Sequence, residues 1–594
     1  MNQDVISYKY KDEAPLQTIN KVRNCLAVKN ILATESWNHV GNNAYSVNLF
    51  IPNTQITANG KGISTDLALA SAYGELVERL SLLLPFRVSP FYSIFYKNLF
   101  AQQSDDFDLF YETDFKQWLS SAEADCFFGQ LSRSYTEDNY KEFWGNRYNG
   151  SLEFKISSKF SEFVFKENDS SIDISLPMSI VDYYYGSNGM CAGNTPEEAL
   201  VQGISEIIER YVQKKIIRGQ YIQCYDITRA YLAEAKELEN TIQELMDKNY
   251  TLTLIECVSE LPMPVICAIL KKQNGEYYVS FGCHPCIRIG AERAITELLQ
   301  GYNLQTLDFA FSDQYLIQNE KTFSYENYMN LVKFGKGAYP IGFINAKYPT
   351  KKVDMAECVQ SNKQLLQTIY TALSKAGYKI YLCKGIDMGL SCFHVIIPGL
   401  SEVQDFFPPT KIRADGTIST FAQLNKLTAN EAQRLAELCA VRWENGEKYL
   451  EQLISVDKYR EYTNCHTAAE GINSTLFISL LYIKAQKWSY AIEYIDKFCD
   501  ELLDDIHIGA ESIAYYRMVR NILEMISAGW DEERICQIIQ ADNGIRMLVN
   551  MIITGEKLFD NIPDLSAEGL IRESKTLDSA VKAEIDLLFN VITH

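Results

Sequence analysis

Twice in the first half of the chain, apolar residues return at helical spacing with the same polar residues riding beside them. Leu69, Ala72, Tyr73, Leu76 and Leu80 form one stripe; Leu200, Ile204, Ile207, Ile208 and Tyr211 form the other. The lead-in to the first is Gly62-Ile63-Ser64-Thr65-Asp66-Leu67-Ala68, and to the second Gly193-Asn194-Thr195-Pro196-Glu197-Glu198-Ala199. Glu-x-x-Glu-Arg follows on the neighbouring face of each, as Glu75, Glu78 and Arg79 and as Glu206, Glu209 and Arg210. The two segments superpose without a gap. Thr195 stands as an N-cap, Pro196 at the first helical position and Glu198 where a capping-box acid belongs; Ser64 or Thr65 caps the first copy. The spacing predicts two helices in one register. A third, decayed copy runs from Ala291 to Leu299, after an apolar strand, with Arg293 and Glu297 on one face.

Elsewhere the pattern alternates strand, glycine turn and helix, the rhythm of an α/β domain. A short amphipathic helix is expected around Ile19, Val22 and Leu26, and strands over 44–50, 180–185, 252–258, 265–270, 277–281, 379–383 and 393–397. Asn274-Gly275 marks a hairpin turn, and Gly377 closes a helix over 362–376. Residues 88–175 are aromatic and polar without a clear period and read as an insertion. From about residue 425 strand signals vanish; 475–481 and 489–495 read as paired helices resembling one tetratricopeptide unit, without a recurrence to extend it. The expected architecture is an α/β domain with a mixed sheet over 1–424 and an all-α, TPR-like domain over 425–594.

One Glu-to-Arg pair four residues apart on a helix is ordinarily a solvated face, worth roughly 0.3–0.5 kcal/mol. Two such helices in one register, each entered through Gly-x-Ser/Thr, point instead to a shared site. Paired carboxylates from separate helices suit a hard divalent ion, because Mg2+ takes oxygen ligands and keeps positions for phosphate oxygens. Flanking arginines then meet the excess negative charge of the ligand.

Gly60-Lys61-Gly62, the alanine-rich run into Glu75-x-x-Glu78-Arg79, the stretch Ser187-Asn188-Gly189-Met190-Cys191-Ala192-Gly193-Asn194-Thr195 and Glu206-x-x-Glu209-Arg210 together resemble the YcaO family. The likeness extends through Glu292-Arg293 to Glu297, and is strongest to the stand-alone bacterial members with a helical C-terminal extension. It implies an ATP site without a Walker loop, and the chain has neither G-x-x-x-x-G-K-[ST] nor G-x-G-x-x-G. By resemblance, Glu75, Glu78, Glu206, Glu209 and Glu297 hold Mg2+ and form the catalytic centre. Lys11, Thr18, Arg79, Cys191, Asn194, Glu198, Arg210 and Arg293 contact the nucleotide. Glu198 cannot serve fully as both capping acid and ligand; spacing favours the first, resemblance the second, and the ligand role is preferred.

Composition narrows the function classes. The chain has 594 residues with a net charge of −20, which argues against phosphate-backbone binding to nucleic acid. No long apolar run or signal peptide is visible, and the scattered cysteines, 15 in all, read as reduced thiols of a cytoplasmic protein. Cys283-His284-Pro285-Cys286 lacks a second pair at zinc spacing. Adjacent Cys465 and His466 point apart on a helix.

The resemblance implies ATP-driven phosphorylation of a peptide amide oxygen, in an accessory role for β-methylthiolation of an aspartate on a small-subunit ribosomal protein. A polypeptide client, a radical methylthiotransferase partner and a homodimer are the expected associations. An azoline- or thioamide-forming enzyme for a natural-product peptide is one rival. It is weakened because the chain ends Phe589-Asn590-Val591-Ile592-Thr593-His594 rather than in a Pro-x-Pro-x-Pro tail. A nucleotide-binding scaffold without turnover is the other.

Overall fold

The computed structural model describes residues 10–87, 111–131, 159–167, 173–300, 337–403, 424–444, 473–504 and 510–559, single positions within them excepted, with a few isolated residues beyond. Helix α1 (Pro15–Val28) buries Ile19, Val22 and Leu26, the stripe read from the sequence. An antiparallel meander follows: β1 (Thr34–Gly41), β2 (Ala44–Phe50) and β3 (Thr57–Gly62), leading into helix α2 (Thr65–Ser81). Strands β4 (Tyr111–Asp114), β5 (Lys159–Glu167), β6 (Asp173–Pro177) and β7 (Met190–Gly193) belong to a second sheet, and α3 (Pro196–Ile217) leaves its last strand. The third sheet is antiparallel throughout: β8 (Gln223–Asp226), β9 (Thr251–Val258), β10 (Val265–Lys271) and β11 (Tyr277–Cys283), with α4 (Ile287–Leu298) after it. After α5 (Asn362–Lys375), β12 (Tyr381–Lys384) and β13 (Ser391–Ile396) complete the second sheet in the order β4-β5-β12-β13-β7, with β6 on β5.

Strands β3, β7 and β11 each lie at the edge of a different sheet, and each hands the chain to one of the acid-bearing helices. The crossing from strand to helix is close enough to exclude a side chain. A Cβ on Gly60 would come 2.1 Å from the Ala68 carbonyl oxygen, one on Gly193 2.4 Å from the Ala199 nitrogen, and one on Gly282 2.3 Å from the Gly290 carbonyl oxygen. The repeat seen in the sequence is thus a repeated strand–glycine–helix joint.

One expectation changes. Residues 180–185 were expected as a strand, but Met178–Tyr184 is a helix. Pro177 starts it, and Tyr183 and Tyr184 both pack against Trp144, at 5.2 Å and 6.0 Å between centroids, with Tyr184 also meeting Phe128 at 6.3 Å. The described parts of 88–175 include β4 and β5 of the second sheet; 88–110 and 145–158 lie outside the described residues.

Apolar burial is divided among several cores. α1, α2 and the first sheet share one; α3 packs between the second and third sheets and α5. The described residues between 424 and 559 form helices and no strand, including Ser474–Lys484 and Trp488–Asp504, around their own core of Leu435, Phe477, Leu481, Tyr494 and Leu523. Leu587 and Val591 rejoin the first core, where the Lys29 ammonium donates to the Val591 carbonyl at 3.2 Å.

Candidate functional site

Helices α2, α3 and α4 turn their acidic faces onto one cavity of about 430 Å3, within the size range of cofactor sites. Twelve of the thirteen residues singled out in the sequence line it: Lys11, Thr18, Glu75, Glu78, Arg79, Asn194, Glu198, Glu206, Glu209, Arg210, Arg293 and Glu297. The exception is Cys191. Its thiol is buried against Gly203 of α3 and donates to the Phe393 carbonyl at 3.4 Å, because strand alternation turns it away from the cavity. A nucleotide contact by Cys191 is therefore corrected to core packing.

Each helix starts as its sequence dictates. Ser64 caps α2, accepting from the Leu67 N–H at 3.3 Å, and Thr195 caps α3, accepting from the Glu198 N–H at 3.2 Å. The Glu198 carboxylate does not return to close a capping box. It accepts instead from the Lys11 ammonium at 3.1 Å, the Asp12 N–H at 3.0 Å and the Asn194 amide at 3.1 Å. Thr18 donates to the other end of the Asn194 amide at 2.8 Å, so residues 11–18 are latched across the start of α3. Although burial works against ionisation, Lys11, the Asp12 N–H and Asn194 hold the Glu198 carboxyl below its ordinary range.

At the other end the carboxylates crowd one another. Arg79 pairs with Glu75, and Arg210 with Glu206 at 3.0 Å, each within its own helix. The Asn59 N–H donates to Glu75 at 3.2 Å. Arg293 reaches the Cys283 carbonyl at 3.0 Å and the Gln202 amide rather than an acid. Among the described residues, Glu78 and Glu209 have no hydrogen-bond or ion-pair partner. Burial, with Glu206 and Glu75 nearby, pushes the Glu78 carboxyl well above its usual range. Burial and Glu206 raise Glu209, and burial raises Glu75.

Sequence reasoning missed Lys61 as a site residue, although Gly60-Lys61-Gly62 was in view. It projects from β3 into the nest, pairs with Glu297 and donates to Gln300 at 2.9 Å. Burial draws its ammonium down to about 8, against the pull of Glu209 and Glu75. Alternation along β3, which puts Asn59 and Lys61 on the cavity side and seals Ala58 inside, is the signal that finds it.

Among the described residues, no three His, Cys, Asp or Glu side chains stand close enough together to hold one metal ion. The donor set nevertheless fits a divalent cation: all oxygen, from three helices, with the ionisation of Glu78 and Glu209 disfavoured by burial and by Glu206 beside them. Cys283-His284-Pro285-Cys286 is a turn into α4, with the Cys286 N–H donating to His284 Nδ1 at 3.0 Å. No helix among the described residues is long and apolar enough to cross a membrane.

Comparison with known proteins agrees with this layout. A family model described as YcaO cyclodehydratase, ATP- and Mg2+-binding, matches residues 59–401. The ribosomal protein S12 methylthiotransferase accessory factor YcaO of Escherichia coli K12 is 27% identical over 357 residues, 58% of this chain and 57% of that protein. An uncharacterized protein of Haemophilus influenzae is 27% identical over 405 residues, 66% of each. The match thus spans less than two thirds of either relative. Among solved structures, YcaO from Methanopyrus kandleri bound with AMPPCP and Mg2+ is 16% identical with a TM-score of 0.41, covering 67% of this chain and 94% of that one. ATP and Mg2+ are the ligands that the family description assigns to this domain. Since the matched segment is more than half of the chain and takes in all three acidic helices, the chain belongs to the YcaO family.

Proposed function

We propose that this chain is an ATP- and Mg2+-dependent enzyme that activates a peptide amide oxygen on a polypeptide client. The observation that carries the reading is the unpartnered pair Glu78 and Glu209, on separate helices, facing one cavity. In this reading Glu75, Glu78, Glu206, Glu209 and Glu297 hold Mg2+, which when bound supplies positive charge to the phosphate oxygens. Arg210 and Arg293 meet the charge of the transferring group, while Lys11, Thr18, Asn194 and Glu198 orient the nucleotide from the opposite rim. The described lining contains no cysteine and no histidine. In this reading the attacking group comes from the client or an external sulfur donor, and the chain's part is positioning and charge.

Similarity to a ribosomal protein methylthiotransferase accessory factor supports a finer reading: assistance to β-methylthiolation of an aspartate in a small-subunit ribosomal protein, beside a radical enzyme. The description of the family model as a cyclodehydratase favours a second reading, azoline formation on a precursor peptide. Capture of clients from cells by cross-linking, read by mass spectrometry, separates them: a ribosomal protein supports the first and a short precursor peptide the second. Phosphate release from ATP in the presence of the captured client, lost in Glu75→Gln and Glu209→Gln, tests turnover itself. Equal release by wild type and both variants would leave a scaffold.

A further inference from the structure

Lys61 is held where it stands by its neighbours. Gly60 and Gly62 lie against the backbone of α2, and a Cβ on either would come within 2.1 Å and 2.7 Å of it respectively, so β3 cannot slide or turn over. The side chain between them is thereby committed to the cavity, where it leaves its own sheet and reaches Glu297 in the last turn of α4 and Gln300 just beyond it. Glu75, Glu206 and Glu209 face it from α2 and α3, and Arg293 opposes it from α4. The nest arginines Arg79 and Arg210 are paired along their own helices, a contact that needs no rearrangement when a ligand arrives. Lys61 instead bridges two separate units, and its partner Glu297 is 45% exposed, so water weakens the pair and a denser charge displaces it. A lysine is a compact charge on a flexible stem, able to change partners without moving the backbone.

We propose that Lys61 is an exchangeable counter-cation: it occupies Glu297 in the metal-free chain, yields that carboxylate to a divalent cation, and turns to the triphosphate. This rests on the reading of the cavity as the Mg2+ and ATP site. Lys61 is in this sense a positioning residue for the loaded state and a competitor of the metal before it.

The test is thermal unfolding of wild type, Lys61→Met, Lys61→Arg and Glu209→Gln in EDTA and across a Mg2+ titration, followed by titration with Mg2+ and ATP together. Lys61→Met is expected to unfold several degrees below wild type in EDTA, to recover that loss with Mg2+, and to half-saturate at a roughly tenfold lower Mg2+ concentration. Its apparent affinity for ATP at saturating Mg2+ is expected to fall about tenfold, with Lys61→Arg restoring most of it. An equal loss of stability with and without Mg2+ would show a merely structural lysine and overturn the proposal. So would a Mg2+ response identical to wild type, read in the milder Lys61→Gln if Lys61→Met does not fold. If wild type itself does not respond to Mg2+ and ATP, and Glu209→Gln behaves like it, the reading of the cavity falls instead.

Discussion

The two ends of the cavity use carboxylates in opposite ways. At the start of α3, Glu198 is satisfied by the chain itself through Lys11, Asp12 and Asn194, and its ionised form is favoured. In the nest, Glu75, Glu78 and Glu209 are driven toward the neutral form by burial and by one another, and two of them have no partner among the described residues. A buried acid that is fully paired is a structural part. A group of buried acids whose ionised form is disfavoured by burial and by one another is, in the proposed reading, the receptor for a divalent cation.

The sharpest way to break this contrast is to neutralise a single acid at each end. Glu209→Gln in the nest is expected to lower ATP-dependent phosphate release at least about a hundredfold, while leaving the metal-free chain no less stable than wild type, since it removes like-charge repulsion. Phosphate assays and urea midpoints in EDTA read the two effects. Glu198→Ala at the latch is expected to do the reverse: a loss of about 1–3 kcal/mol in stability, because Lys11 and the Asp12 N–H lose their acceptor, with a smaller fall in turnover. If both variants behave alike, the two ends are not different in kind.

Acidity sharpens the same contrast. The raised carboxyls of Glu75, Glu78 and Glu209 contribute stability fully below the ordinary carboxylate range of about 4.3, and it is lost as pH rises through their raised values. Glu198 is lowered, so its contribution is present above that range and lost as pH falls through its folded value. In EDTA, wild type should therefore weaken relative to Glu78→Gln as pH rises above the ordinary carboxylate range, and saturating Mg2+ should abolish the difference. Denaturant midpoints across that rise in pH check it. The smallest effect is expected at Cys191→Ala: roughly 1 kcal/mol of stability from the lost packing, and no change in the ATP concentration for half-maximal rate. A changed ATP response would return the thiol to the site.

Much of the site was legible because helices carry their period on the surface of the sequence. Glu75, Glu78 and Arg79 and their counterparts repeat at a spacing that only a helix brings to one face, and the capping residues fix where each begins. Lys11 and Thr18 were reached only through family likeness, since their contacts with Glu198 and Asn194 join positions far apart in the chain. Two readings changed, each for its own reason. Cys191 sits beside Ala192 and Asn194, which line the cavity, but a one-residue step along a strand reverses the facing side. The tyrosines of Met178–Tyr184 have strand propensity, which gave way to an aromatic core formed with Phe128 and Trp144. Lys61 was missed for another reason: Gly60-Lys61-Gly62 entered only as part of the family likeness, and the glycines that flank it are the points at which β3 touches α2.

Because β3, β7 and β11 belong to different sheets, nascent chains synthesise the acidic helices in three instalments separated by long stretches of sequence. Until the last of them has docked, the cavity lacks one of its three acidic faces, even though α2 already packs its apolar stripe on α1 and the first sheet. Completion of the cavity is therefore a late event in maturation, since it requires synthesis to have passed α4.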